Sequence, residues 1–391
     1  MFSKLKQYSF LIIMSLIILS ISAASLFLPP RKFSNLENRY LQTIPRFTLK
    51  SYLKGTYATD FEAAINDQFP LRDSWINLKS KCMLSIGMRE NNGIIYGKQQ
   101  HLFKRFDTLN RETFTKNVQS IMTFISTHPN DEISFILIPD AYTIRPDLLP
   151  AHIIKVNELK WIKYIYQIAH NTGHVNTLVL SPALLRHSDD YIYYRTDHHW
   201  TTSGAYLAMY NHLLNLGRIP PDLMPNPLYC FHTDNSNPIS HYNDFNIVYN
   251  FYGSYYNRSK FTNIPSEAIL YTEPEVSVTV DGKSVPGLYN KAKFTDSDKY
   301  AAFLWGNNGL TTVVNENIKE GGPRLLLLKD SFGNSAVPFL TYYYRQIDVI
   351  DLRYIPFNLS DYLNSNKFDE ILIMYNFSFF NNDRNISKIN Y

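Results

Sequence analysis

The chain opens on an unbroken apolar stretch and then settles into short apolar runs separated by amphipathic segments. Phe10–Leu28 reads FLIIMSLIILSISAASLFL, carries no charge, and is long enough to cross a bilayer as a helix. Lys4 and Lys6 precede it, which favours a cytoplasmic amino end, and Pro29-Pro30 stop the helix. The pattern predicts an uncleaved single-pass anchor in the plasma membrane, residues 1–30, with the rest of the chain outside. A cleaved signal peptide is the rival reading, since Ser22-Ala23-Ala24 suits a peptidase. Residues 31–110 predict a stalk and helical lead-in. Phe61–Ile65 and Trp75–Met83 have helical spacing, interrupted at Phe69-Pro70.

From about residue 111 the rhythm changes. Apolar runs of strand length fall at Ile133–Ile138, Thr177–Leu180, Leu325–Leu328, Ile347–Leu352 and Ile371–Tyr375. Candidate helices fall at Arg111–Ser126, Val156–His170, Ser203–Leu216, Asn334–Tyr344 and Leu359–Asn364. The alternation predicts an α/β domain over 111–391, with a mostly parallel five-stranded sheet covered on both faces. Residues from about 218 to 320 break the pattern. They are rich in Asn, Pro, Tyr and Ser, with β-like runs such as Ser277–Val280 closed by Asp281-Gly282, and predict a long insertion. Ligands of open α/β sheets sit beyond the carboxyl ends of the strands. Those ends read Pro139-Asp140, Ser181-Pro182, Asp330-Ser331, Asp351-Leu352-Arg353 and Tyr375-Asn376.

Composition narrows the function classes. With 391 residues, 45% apolar and 18% charged, a substantial core is expected and global disorder is excluded. The balance of 38 basic and 34 acidic residues gives +4, too dilute for a nucleic-acid face. Two cysteines, Cys82 and Cys230, exclude a disulfide scaffold and a cysteine zinc knuckle; they could pair or stay free. The 29 Tyr and 25 Phe suit sugar-contacting surfaces or plain core packing.

Two segments carry chemistry. In Leu325–Ser335, LLLLKDSFGNS, a buried strand runs into Asp330-Ser331 at the start of a helix. Ser331 could be a nucleophile, with backbone N–H groups at the helix start holding an oxyanion, or Ser331 or Asp330 could merely cap that helix. A serine needs a base. Arg195–Gly204, RTDHHWTTSG, offers Asp197 and His199 two residues apart, so the carboxylate can orient one ring nitrogen and leave the other for the serine proton. His198 is the alternative base. Two competing readings are a metal site built on Asp197, His198 and His199, for which no partner with ligand spacing is found, and a purely structural loop.

Thr196-Asp197-His198-His199-Trp200 matches the signature of the DHHW family, bacterial membrane-anchored proteins similar to the alginate O-acetyltransferases of the AlgJ and AlgX type. The likeness extends to Ser34–Pro45, Phe61–Arg72, Asn92–Gly97, Leu137–Pro150, Phe303–Asn307, Lys329–Gly333 and Asp351–Tyr354. It implies a three-layer SGNH hydrolase-like fold with Asp197 as orienter, His199 as base and Ser331 as nucleophile. Arg353 falls where the related enzymes carry an arginine near the site. Lys329 departs from the glycine that many SGNH enzymes have before Asp-Ser. Such a site needs a second oxyanion donor, for which Asn307 and Asn376 are candidates, although a plain turn residue is the simpler reading of each. Tyr375 and Arg353 could bind sugar hydroxyls or a carboxylate, and Arg353 could instead pair with Asp351.

The resemblance therefore implies an extracytoplasmic O-acyltransferase, most simply an O-acetyltransferase, acting on an exopolysaccharide or cell-wall polymer. It implies no cofactor and no metal, but a membrane-bound O-acyltransferase as the partner that supplies the acyl group. A carbohydrate esterase with the same residues and a non-catalytic polysaccharide-binding subunit of an export complex are the alternatives.

Overall fold

The structure, a computed structural model, describes residues 2–34, 39–218, 247–262, 264–270, 275–296 and 298–391. Residues 219–246 of the expected insertion lie outside the described residues, and with them Cys230 and its pairing with Cys82. The chain divides into two compact units, Met1–Met88 and Arg89–Tyr391.

The first unit begins with helix α1 (Phe2–Phe27). Its window Tyr8–Ser25 has a mean hydropathy of 2.0 and is not buried within the protein, so α1 is a candidate membrane anchor or signal sequence. After a single helical turn at Leu49–Leu53, helices α2 (Thr56–Asp67) and α3 (Arg72–Ser85) are split where Pro70 cannot continue a helix. Gln68, just after α2, donates from Nε2 to the carbonyls of Arg31 and Gln42, both at 2.9 Å, and so ties the extended lead-in to this helix pair.

The second unit is built on an eight-stranded mixed sheet. Its strands in chain order are β1 (Ile133–Ile138), β2 (Asn176–Thr177), β3 (Val276–Val280), β4 (Lys283–Val285), β5 (Leu310–Asn315), β6 (Arg324–Lys329), β7 (Gln346–Ile350) and β8 (Glu370–Asn376). Across the sheet they run β4-β3-β5-β7-β6-β8-β1-β2. Neighbours from β7 to β2 are parallel. Strands β7, β6, β8 and β1 hold four of the five apolar runs, while the fifth, Thr177–Leu180, shares only Thr177 with the two-residue β2. The expectation of a five-stranded sheet is corrected by β5, β3 and β4, which extend one edge in antiparallel fashion. The reason is visible in the pattern. Leu310–Asn315 alternates half-buried and buried residues, as an antiparallel strand covered on one face does, and lacks the continuous apolar run of a fully covered parallel strand.

Side-chain alternation along the parallel strands makes two cores. Leu325, Leu327, Leu372 and Met374 face one side with α6 (Thr202–Asn215). Leu326, Leu328, Ile371 and Ile373 face the other with α4 (Arg111–Thr127) and α5 (Glu158–Thr172). Three layers result, and fully buried Leu325–Leu328 fix β6, where each leucine truncated to alanine would cost about 2–5 kcal/mol. The helix expected at Asn334–Tyr344 is replaced by a 3-10 turn, Ser331–Ser335, and a short helix, Val337–Leu340, with Pro338 near its start.

The carboxyl ends of β1, β6, β7 and β8 gather Asp140, Asp330, Ser331, Asp351 and Asn376 along one edge. The opposite edge is clamped by Glu370 at the start of β8. Its carboxylate lies 2.8 Å from His212 Nε2, accepts the Tyr344 hydroxyl and pairs with Arg218. Burial alone would raise its pKa, but His212, Tyr344 and Arg218 outweigh that and hold it at about 2. A carboxyl depressed in the folded state stabilises above its unfolded value and loses that contribution as pH falls toward the folded one. Thermal unfolding between pH 7 and 2 should therefore show roughly 3 kcal/mol of stability lost below about pH 4.5 from this group. Glu370→Gln should flatten that acid limb and lower Tm at neutral pH; an unchanged limb would contradict the clamp.

Candidate active site

Ser331 owes its position to the residue before it. Asp330 ends the β6 segment and caps the 3-10 turn, its Oδ1 accepting the N–H of Phe332 at 2.9 Å. Its Oδ2 accepts the N–H of Asn376 at 2.8 Å, which ties this turn to the end of β8. Asp330 thus does the capping, and the Ser331 hydroxyl is left for another partner. Gly333 is required because a Cβ there would sit 2.7 Å from the Cβ of Lys329. The indole of Trp200 donates to the Phe332 carbonyl at 3.0 Å and to Ser335 Oγ at 2.9 Å, and the Tyr300 hydroxyl donates to the same Oγ at 2.9 Å.

The loop before α6 supplies the partner. Thr201 caps α6, Tyr194 N–H donates to the His199 carbonyl at 3.1 Å, and Tyr193 bridges Trp200 in antiparallel fashion. This folds Asp197 and His199 back on one another. His199 Nδ1 lies 2.6 Å from Asp197 Oδ1, and His199 Nε2 lies 2.7 Å from Ser331 Oγ. The other carboxylate oxygen of Asp197 accepts the N–H of Ser254 at 2.7 Å. Gly253 makes that approach feasible, since a Cβ there would fall 2.4 Å from the Asp197 Cβ. The His199 ring lies flat on the Tyr300 ring, centroids 3.5 Å apart and planes 3° apart. That stack restrains the imidazole so that both nitrogens keep their partners.

Electrostatics poises the line for proton transfer. Burial pushes Asp197 up, but His198, His199 and the hydrogen bonds outweigh it and hold the carboxyl well below the usual range. Burial lowers His199, against the opposing pull of Asp197, so it is neutral at pH 7 with a nitrogen free to accept. An ionised carboxylate, a neutral imidazole and a serine hydroxyl in hydrogen-bonded sequence can move the serine proton onto Nε2 and stabilise the imidazolium that forms. Asp197, His198 and His199 also bring possible metal-ligand atoms within 4.8 Å of one another. A cation there would have to break the Asp197–His199–Ser331 line, because both ring nitrogens of His199 and both oxygens of Asp197 are engaged.

The remaining sequence candidates are placed as follows. His198 turns its Nδ1 to Ser254 Oγ at 2.9 Å, and burial lowers it to about 3; of the two imidazoles, His199 is the one on Ser331. Arg353 forks onto Asp351, Nε to Oδ1 at 2.8 Å and Nη2 to Oδ2 at 2.6 Å, and lines a cavity of about 590 Å³ with Lys104, Ser378 and Phe379. Asn376 donates from Nδ2 to Asp140 Oδ1 at 2.8 Å and to the Ile138 carbonyl at 3.2 Å, while its oxygen accepts from Ser378 and Phe379. Its amide is consumed by the scaffold. Tyr375 is buried in the core shared with Phe380, on the face away from Trp200 and Phe332.

Asn307 follows a strained turn. Leu304, Trp305 and Gly306 have φ of 52°, 61° and 90°, and side-chain-bearing residues in that region cost about 1–2 kcal/mol each. The turn is held by Leu304 N–H on the Leu288 carbonyl at 2.9 Å and by the Trp305 indole on the Gly287 carbonyl at 3.1 Å. Asn307 Oδ1 then accepts from Lys329 Nζ at 3.0 Å and from Asn334 Nδ2 at 3.3 Å.

Tyr300, Gly253 and Ser254 were not found from the sequence. They lie in the region read as an insertion, and no local pattern announces a ring that stacks or an N–H that reaches a carboxylate 57 residues away.

The DHHW protein family matches residues 129–350, more than half of the chain. Among solved structures, a DHHW family protein from Eubacterium siraeum is similar with a TM-score of 0.58 and 19% identity, over 77% of this chain and 95% of that one. PatB1 of Bacillus cereus is similar at 0.54 and 18%, over 76% and 99%, and a second PatB1 structure carries a sulfonyl adduct. The O-acetyltransferase domain of Pseudomonas putida AlgJ is more distant, at 0.43 and 12% over 74% and 93%. No curated protein matches the sequence.

A neutral His199 predicts how fast the serine reacts. Labelling of Ser331 by phenylmethylsulfonyl fluoride, followed by peptide mass spectrometry, should rise with pH along a limb whose midpoint lies below 6.5. Asp197→Asn should slow that labelling by on the order of 10³–10⁴ through loss of the correct tautomer. A midpoint above 6.5, or an unchanged rate in the variant, would contradict the arrangement.

Proposed function

This chain belongs to the DHHW family, and from its site we propose that it is an extracytoplasmic O-acyltransferase that transfers an acetyl group to hydroxyls of an exopolysaccharide or cell-wall polymer. The observation that carries the reading is the buried line from Asp197 through His199 to Ser331. PatB1, which has a similar fold, accepts a sulfonyl adduct, and a reactive serine in this chain would accept the same class of reagent.

In this reading Ser331 Oγ attacks the carbonyl carbon of the acyl donor while its proton passes to His199 Nε2. The tetrahedral oxyanion is held by the backbone N–H of Ser331 and the carboxamide N–H₂ of Asn307. The donor's leaving oxygen departs with the proton from His199, and an acyl-serine remains. A sugar hydroxyl then gives its proton to His199, attacks the acyl carbon and leaves as the ester, while Ser331 recovers its proton. Transfer outpaces hydrolysis only where the acceptor is held close and water is limited. Arg353 and the cavity it lines are the proposed seat of that acceptor.

Helix α1 serves as a single-pass anchor in the plasma membrane. It holds the catalytic unit outside, beside a membrane-bound O-acyltransferase that passes the acyl group across. No cofactor takes part in the steps above.

The test is acyl transfer from an activated acetyl ester by the purified full-length protein in detergent, with and without polysaccharide extracted from the source cells. Acetylated polymer is the expected product, and Ser331→Ala and His199→Ala should each lower its formation by about 10⁴ or more. Acetate release alone, indifferent to polymer, would make the protein an esterase. Near-normal activity in either variant would remove the roles given to Ser331 and His199, and normal polymer acetylation in source cells carrying both substitutions would leave the protein a binding subunit.

A further inference from the structure

Lys329 is a charged side chain in a place where charge is costly. It is fully buried at the end of β6, two residues before Ser331, and burial lowers its pKa to about 8. Its ammonium reaches Asn307 Oδ1 at 3.0 Å and Asp351 Oδ2 at 3.5 Å, and Asp351 is in turn forked by Arg353. Arg353 opposes the ammonium, and Asp330 favours it alongside Asp351. Buried charges persist when they are paired; Asp351 supplies the opposite charge, and the shorter contact is to the neutral carboxamide of Asn307.

An ammonium can only donate, so the atom Asn307 presents to Lys329 is its oxygen, and Asn334 Nδ2 donates to the same oxygen. The N–H₂ end therefore points away from both donors. Among the described residues neither that N–H₂ nor the backbone N–H of Ser331 has an acceptor. Lys329 and Asn334 bracket Ser331 on its turn, so Asn307 is seated against the stretch that bears the serine. The left-handed run Leu304–Gly306 aims Asn307 there, and backbone strain of this kind persists where the surroundings over-determine it.

We infer that Lys329 is a positioning residue: its ammonium fixes the Asn307 carboxamide so that the N–H₂ faces the oxyanion formed at Ser331. The inference rests on the acyl-enzyme reading above. Lys329 acts through Asn307 and touches no substrate.

The test is a double-mutant cycle in the full-length protein, read by hydrolysis of p-nitrophenyl acetate. Lys329→Met should lower kcat by about 10²–10³ with KM within about twofold, and Asn307→Ala should do the same. The double variant should be no slower than Asn307→Ala alone, because the lysine has nothing left to position. Losses that multiply, or a Lys329→Met enzyme within threefold of wild type, would overturn the role. If Lys329→Met does not fold, Asn307→Asp decides: it keeps an oxygen for Lys329 but has no N–H. Its kcat should fall as far with Tm held or raised, and full activity would overturn the assignment. Hydrolysis that survives in Ser331→Ala would remove the acyl-enzyme reading and the Lys329 role together. Loss in Ser331→Ala with normal Lys329→Met would remove the Lys329 role alone.

Discussion

A single contact, the imidazole of His199 on the hydroxyl of Ser331, joins residues 132 positions apart, and the surrounding structure is arranged to hold it. The serine side is held by the leucine-rich strand β6 and by the Asp330 carboxylate, which bonds its own turn with one oxygen and the end of β8 with the other. The histidine side is held by Asp197, the Tyr300 stack and the cap of α6. Trp200 crosses between the two, with its backbone on the histidine loop and its indole on the serine turn. None of these supports is exposed, so water does not compete for them.

The buried polar groups at this edge are linked strand to strand. Asp140 after β1, Asn376 at the end of β8 and Asp330 after β6 form one hydrogen-bonded chain, and Asp351, Arg353, Lys329 and Asn307 form another beside it. A half-satisfied network in a low-dielectric interior would destabilise the fold. Its near-complete pairing here lets a serine turn, a carboxamide and an ammonium share a small volume. The cost is concentrated in the left-handed turn before Asn307 and in the burial of Lys329.

Much of this was legible in the sequence, for physical reasons. Four of the five parallel strands are buried along nearly their whole length and so read as apolar runs; the fifth, β2, is a half-buried Asn176–Thr177 pair, and β3 and β5 alternate and escaped that criterion. The Asp-x-His spacing showed that Asp197 and His199 could meet, because only a local turn is needed. The apolar helix at the amino end was equally plain. What could not be read depends on groups far apart in the chain. That Tyr300 lies on His199, that Ser254 reaches Asp197, and that Asn376 spends its amide on Asp140 are tertiary facts. Lys329 showed only as a departure from glycine; its partner Asn307 is 22 residues earlier and on another segment.

The central claim is a covalent one, and trapping the intermediate tests it most directly. The full-length protein would be exposed briefly to an activated acetyl ester, quenched in acid and mapped by peptide mass spectrometry. One acetyl group is expected on the peptide containing Ser331, absent when His199 is replaced by alanine. Acetylation confined to other residues, or equal acetylation of Ser331 without His199, would contradict it.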